Sequence, residues 1–221
     1  ERLIINLRQL DCVTFVEHVL VLSRLVTTLD DAALQDEERF RARYADALTT
    51  VRYRDGVLNG YPDRLHYFSE WISDGARKGL LQPVTAEIGG VPLPGAIDFM
   101  SSNPDAYRQL ALGDNLAAIR AVEERLNTES RHYIPQARIG DVAAGIRNGD
   151  IIAATSTVDG LDVAHTGIAL WTNGDLYLLH APLIGSAVEV SERPLADRIE
   201  LINGQDGIMV ARPLPPDSPE A

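Results

Sequence analysis

One thiol and two imidazoles are the groups in this chain whose type and spacing could do chemistry. Cys12 is the only cysteine. It lies in Leu10-Asp11-Cys12-Val13-Thr14-Phe15-Val16-Glu17, where an apolar helix begins. His165 and His180 follow far downstream on consecutive strand-like runs, residues 163–170 and 176–180. A lone cysteine with distant histidines outlines a thiol nucleophile and its base. Asp11 is a good N-cap, and Val13, Val16, Val19, Leu20 and Leu22 continue an apolar face. Cys12 is then the first helical residue, where backbone N–H groups lack intrahelical partners and the positive end of the macrodipole is near. Both favour a thiolate, and the same N–H groups could hold a developing oxyanion. Read on this helix alone, Cys12 is equally a small buried hydrophobe.

The two strands separate those readings. Between them stands Trp171-Thr172-Asn173-Gly174-Asp175, and Asn-Gly between apolar runs is a hairpin signal. With Asn173 and Gly174 as the loop, Thr172 faces Asp175 and the ladder sets Gly167 opposite His180. Alternation then puts His165 and His180 on one face as diagonal neighbours about 7–8 Å apart. Gly167 is expected to leave open space beside them. In that arrangement His165 is the base for Cys12, and His180 sets its tautomer and tilt. A one-residue slip of the loop would separate the histidines. The other histidines carry no such pattern. His18 is turned away from the thiol by helical geometry, His132 sits in a polar stretch, and His66 falls in a helical segment.

The segment around Cys12 resembles the nucleophile motif of the N-acetylmuramoyl-L-alanine amidase-like family within the NlpC/P60 superfamily of papain-like cysteine hydrolases. The resemblance continues through Tyr53-Arg54-Asp55-Gly56, Arg64-Leu65-His66-Tyr67-Phe68-Ser69-Glu70-Trp71-Ile72, Asn148-Gly149-Asp150-Ile151-Ile152, 160–169 and Leu178-Leu179-His180-Ala181. It implies an α+β papain-like fold, a nucleophile helix packed on an antiparallel sheet. It also implies a Cys12-His165-His180 triad that cleaves the amide between muramic acid and L-Ala, in a periplasmic or secreted protein. Two features depart from that pattern. The chain opens eleven residues before Cys12, so a preceding segment is expected beyond Glu1. Ala181-Pro182 also stands where Ala-Ser is expected.

The elements that must position these groups are coarser to read. Helical patterns come first and strands second, an α+β order in one domain spanning 1–221. The nucleophile helix occupies 1–30, a mostly helical insertion 31–135, a β core 136–212 and a frayed tail 213–221. Within the insertion, helices are expected over 29–54 behind Asp30-Asp31, over 64–78 closed by Gly79, over 103–110 and over 116–126. Residues 91–95 read as a turn-rich link. Asp150 reads as the end of a turn before a core strand.

Hydrophobic residues make up 45% of the chain and charged residues 24%, which excludes a disordered chain. No apolar stretch approaches the roughly 18–20 residues that cross a bilayer. A net charge of −12 argues against a nucleic-acid partner. An anionic, sugar-linked peptide needs a cationic clamp and an aromatic platform, and Arg64 and Tyr67 are the candidates, with Asp11 as a further contact beside the thiol. Each has a plainer role: surface solvation, packing and helix capping. No His-Glu-x-x-His or Cys-x-x-Cys pattern occurs, so thiol chemistry without metal or cofactor is expected ahead of a zinc site on the same three residues. Two other readings stay open: the same fold cutting the D-Glu to diaminopimelate bond, and a non-catalytic peptidoglycan-binding module.

Overall fold

The computed structural model describes residues 1–183 and 187–216. Helices are α1 (Cys12–Thr28), α2 (Asp31–Gln35), α3 (Glu37–Arg52), α4 (Phe68–Arg77), α5 (Phe99–Ser102), α6 (Asn115–Leu126), α7 (Ile139–Val142) and α8 (Leu195–Leu201). Strands are β1 (Leu81–Pro83), β2 (Val91–Pro92), β3 (His132–Pro135), β4 (Ile151–Ser156), β5 (Val163–Thr172), β6 (Asp175–His180), β7 (Glu189–Val190) and β8 (Gln205–Pro213). Among the described residues they form one antiparallel sheet in the order β2-β3-β8-β4-β5-β6-β7, with β1 also on β8.

The α+β class is as expected, and the sheet is covered on both faces. Ile151 and Ala153 of β4, with Met209 and Ala211 of β8, pack with α1, α3 and α4. Ile152 and Ala154, with Ile208 and Val210, pack the other way against α7 and α8. That is the period-2 alternation of a strand buried on both sides.

Helix α1 begins where the sequence places it. Thr14 N–H donates to Asp11 Oδ1 at 2.7 Å, and Asp11 N–H donates to Thr14 Oγ1 at 2.9 Å, a reciprocal cap. Its buried face holds Phe15, Val16, Leu20, Val21 and Leu25, and also Glu17 and His18. Arg52 answers Glu17 from α3 at 2.7–2.8 Å. Burial pushes the Glu17 carboxyl above its usual range, against the pull of Arg52. Tyr44 answers His18 Nδ1 at 2.5 Å, which removes His18 from the thiol.

The insertion departs from the sequence expectation in several places. The helix expected over 29–54 is broken at Asp36, whose carboxylate caps a new helix through Arg39 N–H at 3.0 Å. The helix expected from Arg64 starts at Phe68. Arg64 instead bridges Tyr53, and Leu65 N–H donates to Arg52 O at 3.0 Å, so this backbone bonds across the chain. Residues 103–111 form 3₁₀ turns in place of an α-helix. β1, β2 and β3 all lie inside 31–135, so the insertion is woven into the sheet. Conversely, 136–145 is a chain of short helical turns where strands were expected. The expected tail is ordered at its start: β8 runs to Pro213, and Leu214 N–H donates to Leu80 O. Residues 217–221 of that tail lie outside the described residues.

Fully buried Glu70 is the anchor of the insertion. It accepts Arg54 Nε at 2.6 Å and a further bond from Arg125. Asp162 ties this region to the start of β5. Its buried carboxylate accepts Ser69 N–H at 2.7 Å, capping α4 from a distant strand. Asp150 is buried and clamped by Arg212 at 2.8–2.9 Å, the structural role read from its turn.

Candidate active site

The Asn-Gly hairpin has the expected register. Thr172 pairs with Asp175, and the ladder runs to Ile168 opposite Leu179. Asn173 and Gly174 both have positive φ, as a two-residue turn of this type requires. Gly167 and His180 are the next step of that register. Where the ladder ends, His165 and His180 meet edge to face, with ring centres 4.9 Å apart and His165 Nε2 2.9 Å from His180 Nδ1. Both are buried. Gly167 serves a different purpose from the one expected. A Cβ there would come within 2.7 Å of Leu179 O and 2.8 Å of Leu178 Cδ1, so the glycine permits close strand approach and leaves no open space.

Helix α1 packs on β5 and brings its first residue to this end of the hairpin. Cys12 is half-buried. Burial pushes its thiol up; the Thr166 N–H draws it down, the Asp11 carboxylate adds to the rise, and the N–H groups of Val13 and Cys12 itself oppose it. The net direction is upward from an ordinary 9.0. The helix start therefore does not win: the resting group is a thiol, contrary to the expectation from α1 alone. Among the described residues, Cys12 makes no hydrogen bond to either imidazole. The link between them is Thr166, which follows His165 in β5 and presents its N–H to the sulfur. His165 Nδ1 likewise has no hydrogen-bond partner among the described residues.

Burial, and then the Arg198 charge, lower both His165 and His180 to about 4. At neutral pH the site thus holds a neutral thiol and two neutral imidazoles. A base that works through Nδ1 must carry its proton on Nε2, and His180 Nδ1 is the acceptor at that position. On the far side of His180, Glu189 Oε1 stands 4.0 Å from Nε2.

A cleft of about 670 Å³ lies next to the site, lined by residues that precede Cys12 and follow His180 in the chain. Arg8 and Asp11 line one wall, and Ala181, Pro182 and Val188 line the other. Asp11 so combines its cap with a place on the cleft wall. Arg64 lines a second cleft, about 710 Å³, with Arg2, Tyr61 and Asn115, and is absent from the described wall beside Asp11. Tyr67 cannot be an aromatic platform. It is 2% exposed, donates to Glu123 at 2.6 Å and accepts Met100 N–H at 2.9 Å. Its apolar ring is spent on a core with Ile97 and Leu110. His66 is held by Tyr61 O at 2.9 Å. Thr166, Glu189 and Arg198 escaped the sequence reading because each acts through a strand or helix neighbour that only register defines.

A family model described as AmiA-like, N-acetylmuramoyl-L-alanine amidase-like, matches residues 1–207. A crystal structure of an N-acetylmuramoyl-L-alanine amidase from Bacteroides uniformis is 39% identical, with a TM-score of 0.87 over 96% of this chain and 88% of that chain. A Bacteroides fragilis protein named as a candidate xylanase is 36% identical, with a TM-score of 0.86 over 96% of this chain and 90% of that one. A Legionella pneumophila protein at 21% identity and TM-score 0.65, over 95% of this chain and 77% of that one, shares the fold alone. No curated protein matches the chain.

Proposed function

The chain belongs to the N-acetylmuramoyl-L-alanine amidase-like family, and from that membership we propose that it is a cysteine amidase of peptidoglycan or its muropeptides. The observation that carries the chemistry is the His165–His180 hydrogen bond of 2.9 Å, with Thr166, the next residue of β5, presenting its N–H to the sulfur of a cysteine at a helix start. On this reading the arrangement is that of the papain-like NlpC/P60 hydrolases: Cys12 the nucleophile, His165 the base, His180 the orienting partner. Its place of work is the periplasm or the exterior.

The steps follow from the protonation states. His165 Nδ1 takes the thiol proton as the sulfur attacks the carbonyl of the N-acetylmuramoyl-L-Ala amide. The electron pair of the S–H bond forms the new S–C bond. Backbone N–H groups at the start of α1 hold the oxyanion. Protonated His165 then gives its proton to the leaving amine of L-Ala, and the thioester remains. Water, deprotonated by His165, releases the acid and restores the thiol. The cleft beside Asp11 receives the chain that flanks the bond, and Arg8 on its wall is a cation for the acidic peptide.

The name of the Bacteroides fragilis relative raises glycoside cleavage as a second reading. That chemistry uses two carboxylates about 5–10 Å apart across a sugar ring. Here the reactive groups are a thiol and imidazoles, and the Asp11 carboxylate is engaged as a cap, which favours acyl transfer.

The test is a digest of defined muropeptides by the wild type and by Cys12→Ala, read by mass spectrometry. Free sugar and a peptide led by L-Ala, formed by the wild type alone, is the expected result. Cleavage at D-Glu-diaminopimelate would keep the nucleophile and change the bond. Equal turnover by Cys12→Ala would end the proposal, and binding without cleavage by the wild type would favour a non-catalytic module.

A further inference from the structure

We propose that Glu189 is a positioning residue of this site, holding His180 in the tautomer that frees His165 Nδ1 to act as base. The consequence for rate rests on the amidase reading; the consequence for tautomer rests on geometry alone. β7 pairs with β6 so that Glu189 lies directly across from His180. Glu189 Oε1 is 4.0 Å from His180 Nε2, while His180 Nδ1 is 2.9 Å from His165 Nε2. His180 thus stands between His165 on its Nδ1 side and the Glu189 carboxylate on its Nε2 side.

Two proton arrangements satisfy the central bond. In one, His165 Nε2–H donates to His180 Nδ1, His180 carries its own proton on Nε2, and His165 Nδ1 is an open acceptor. In the other, His180 Nδ1–H donates to His165 Nε2, and His165 Nδ1 carries a proton and cannot accept one from sulfur. A carboxylate charge 4.0 Å from His180 Nε2, beyond hydrogen-bond length, favours the first by its field. Transfer of the Cys12 proton then breaks S–H and forms Nδ1–H, leaving His165 with both ring protons. Glu189 remains a carboxylate throughout and draws no proton away.

The charges that face the pair show why a nearby anion matters. From α8, Arg198 depresses both imidazoliums, and Glu189 in turn acts on Arg198. From the start of α1 come the Cys12 thiol and the Asp11 carboxylate. Among the described residues Glu189 is the carboxylate within 4.0 Å of His180, at 53% side-chain exposure. That exposure sets a modest effect: a charge about 4 Å away through water accounts for roughly a fivefold factor.

The experiment pairs nitrogen-15 NMR of the histidine rings at pH 7 with steady-state kinetics on a defined muropeptide. The proteins are wild type, Glu189→Gln and Glu189→Ala. The wild type is expected to show the His180 Nε2–H tautomer. Glu189→Ala should lose that preference, lower kcat about fivefold with KM unchanged, and move the acid limb of kcat to lower pH as Arg198 acts unopposed. Glu189→Gln keeps the size of the side chain without its charge and should show the same lost preference and the same shifted limb, which separates charge from packing. An unchanged His180 tautomer in Glu189→Ala, or an unchanged kcat, overturns the proposal. Should the wild type cleave nothing, the amidase reading fails, and the tautomer spectra still decide the role of Glu189.

Discussion

Titrating the single thiol reads the resting state of the site directly. Cys12 is the only cysteine, so alkylation by iodoacetamide reports on one group without a background. Burial raises its thiol from 9.0, and the three backbone N–H groups do not reverse that. A group at or above that value is at most about 1% thiolate at pH 7. Since the thiolate is the reacting form, the alkylation rate should rise about tenfold per pH unit, or about a hundredfold from pH 6 to pH 8. Asp11→Asn keeps a capping side chain and removes the charge that helps raise the thiol. Its rate at pH 7 should exceed the wild type by up to about fivefold, the factor for a charge ~4 Å away in water. The rate would be followed as loss of free thiol, with adduct mass as the check. Turnover offers a second readout: kcat/KM should hold level from above the His165 value of about 4 to the alkaline range. A rate flat between pH 5 and 8, with thiolate absorbance already present at pH 5, would refute the reasoning and show a preformed thiolate–imidazolium pair.

Three further outcomes are expected. His180→Ala should lower kcat by about a hundredfold and leave KM unchanged, because His165 loses the acceptor that fixes its tautomer and keeps its own basicity; an unaltered kcat would remove His180 from the site. Glu17→Ala strands Arg52, whose side chain is 4% exposed, and should cost ~3–5 kcal/mol, or roughly 6–20 °C in Tm by thermal unfolding; a loss under ~1 kcal/mol would show that the pair is idle. Stability should also fall as pH drops from 6.5 toward 4. His66, His165 and His180 are lowered to about 4 from 6.5, so in that window the unfolded chain binds more protons, and above 6.5 their contribution is complete. The raised carboxyls of Glu17 and Asp162 act in the opposite sense. His66→Gln isolates one histidine: it keeps a donor for Tyr61 O and should flatten the pH slope of the unfolding free energy, read from urea titrations, by up to ~1.4 kcal/mol per pH unit. An equal slope in both proteins would contradict the buried, neutral state of His66.

Local signals were legible where local physics decides. Asp11-Cys12 marked the helix start because an N-cap is satisfied within three residues. Asn173-Gly174 marked the hairpin because a two-residue turn demands positive φ, and that register alone aligned the two histidines. The α+β class followed from the change of period along the chain. The failures share one cause: a distant segment supplied the partner. Arg64 and Leu65 left the helical pattern to bond with Tyr53 and Arg52. Tyr67 left the surface for Glu123, 56 residues away. Asp162 became the cap of α4 across 93 residues. The protonation of the site was likewise a tertiary matter. The start of α1 favours a thiolate by itself, but burial against β5 and the Asp11 charge outweigh it, and Arg198 from α8 joins burial in holding the histidines neutral. A sequence states which groups can react; the dielectric and the charges that packing places around them decide in which protonation state they wait.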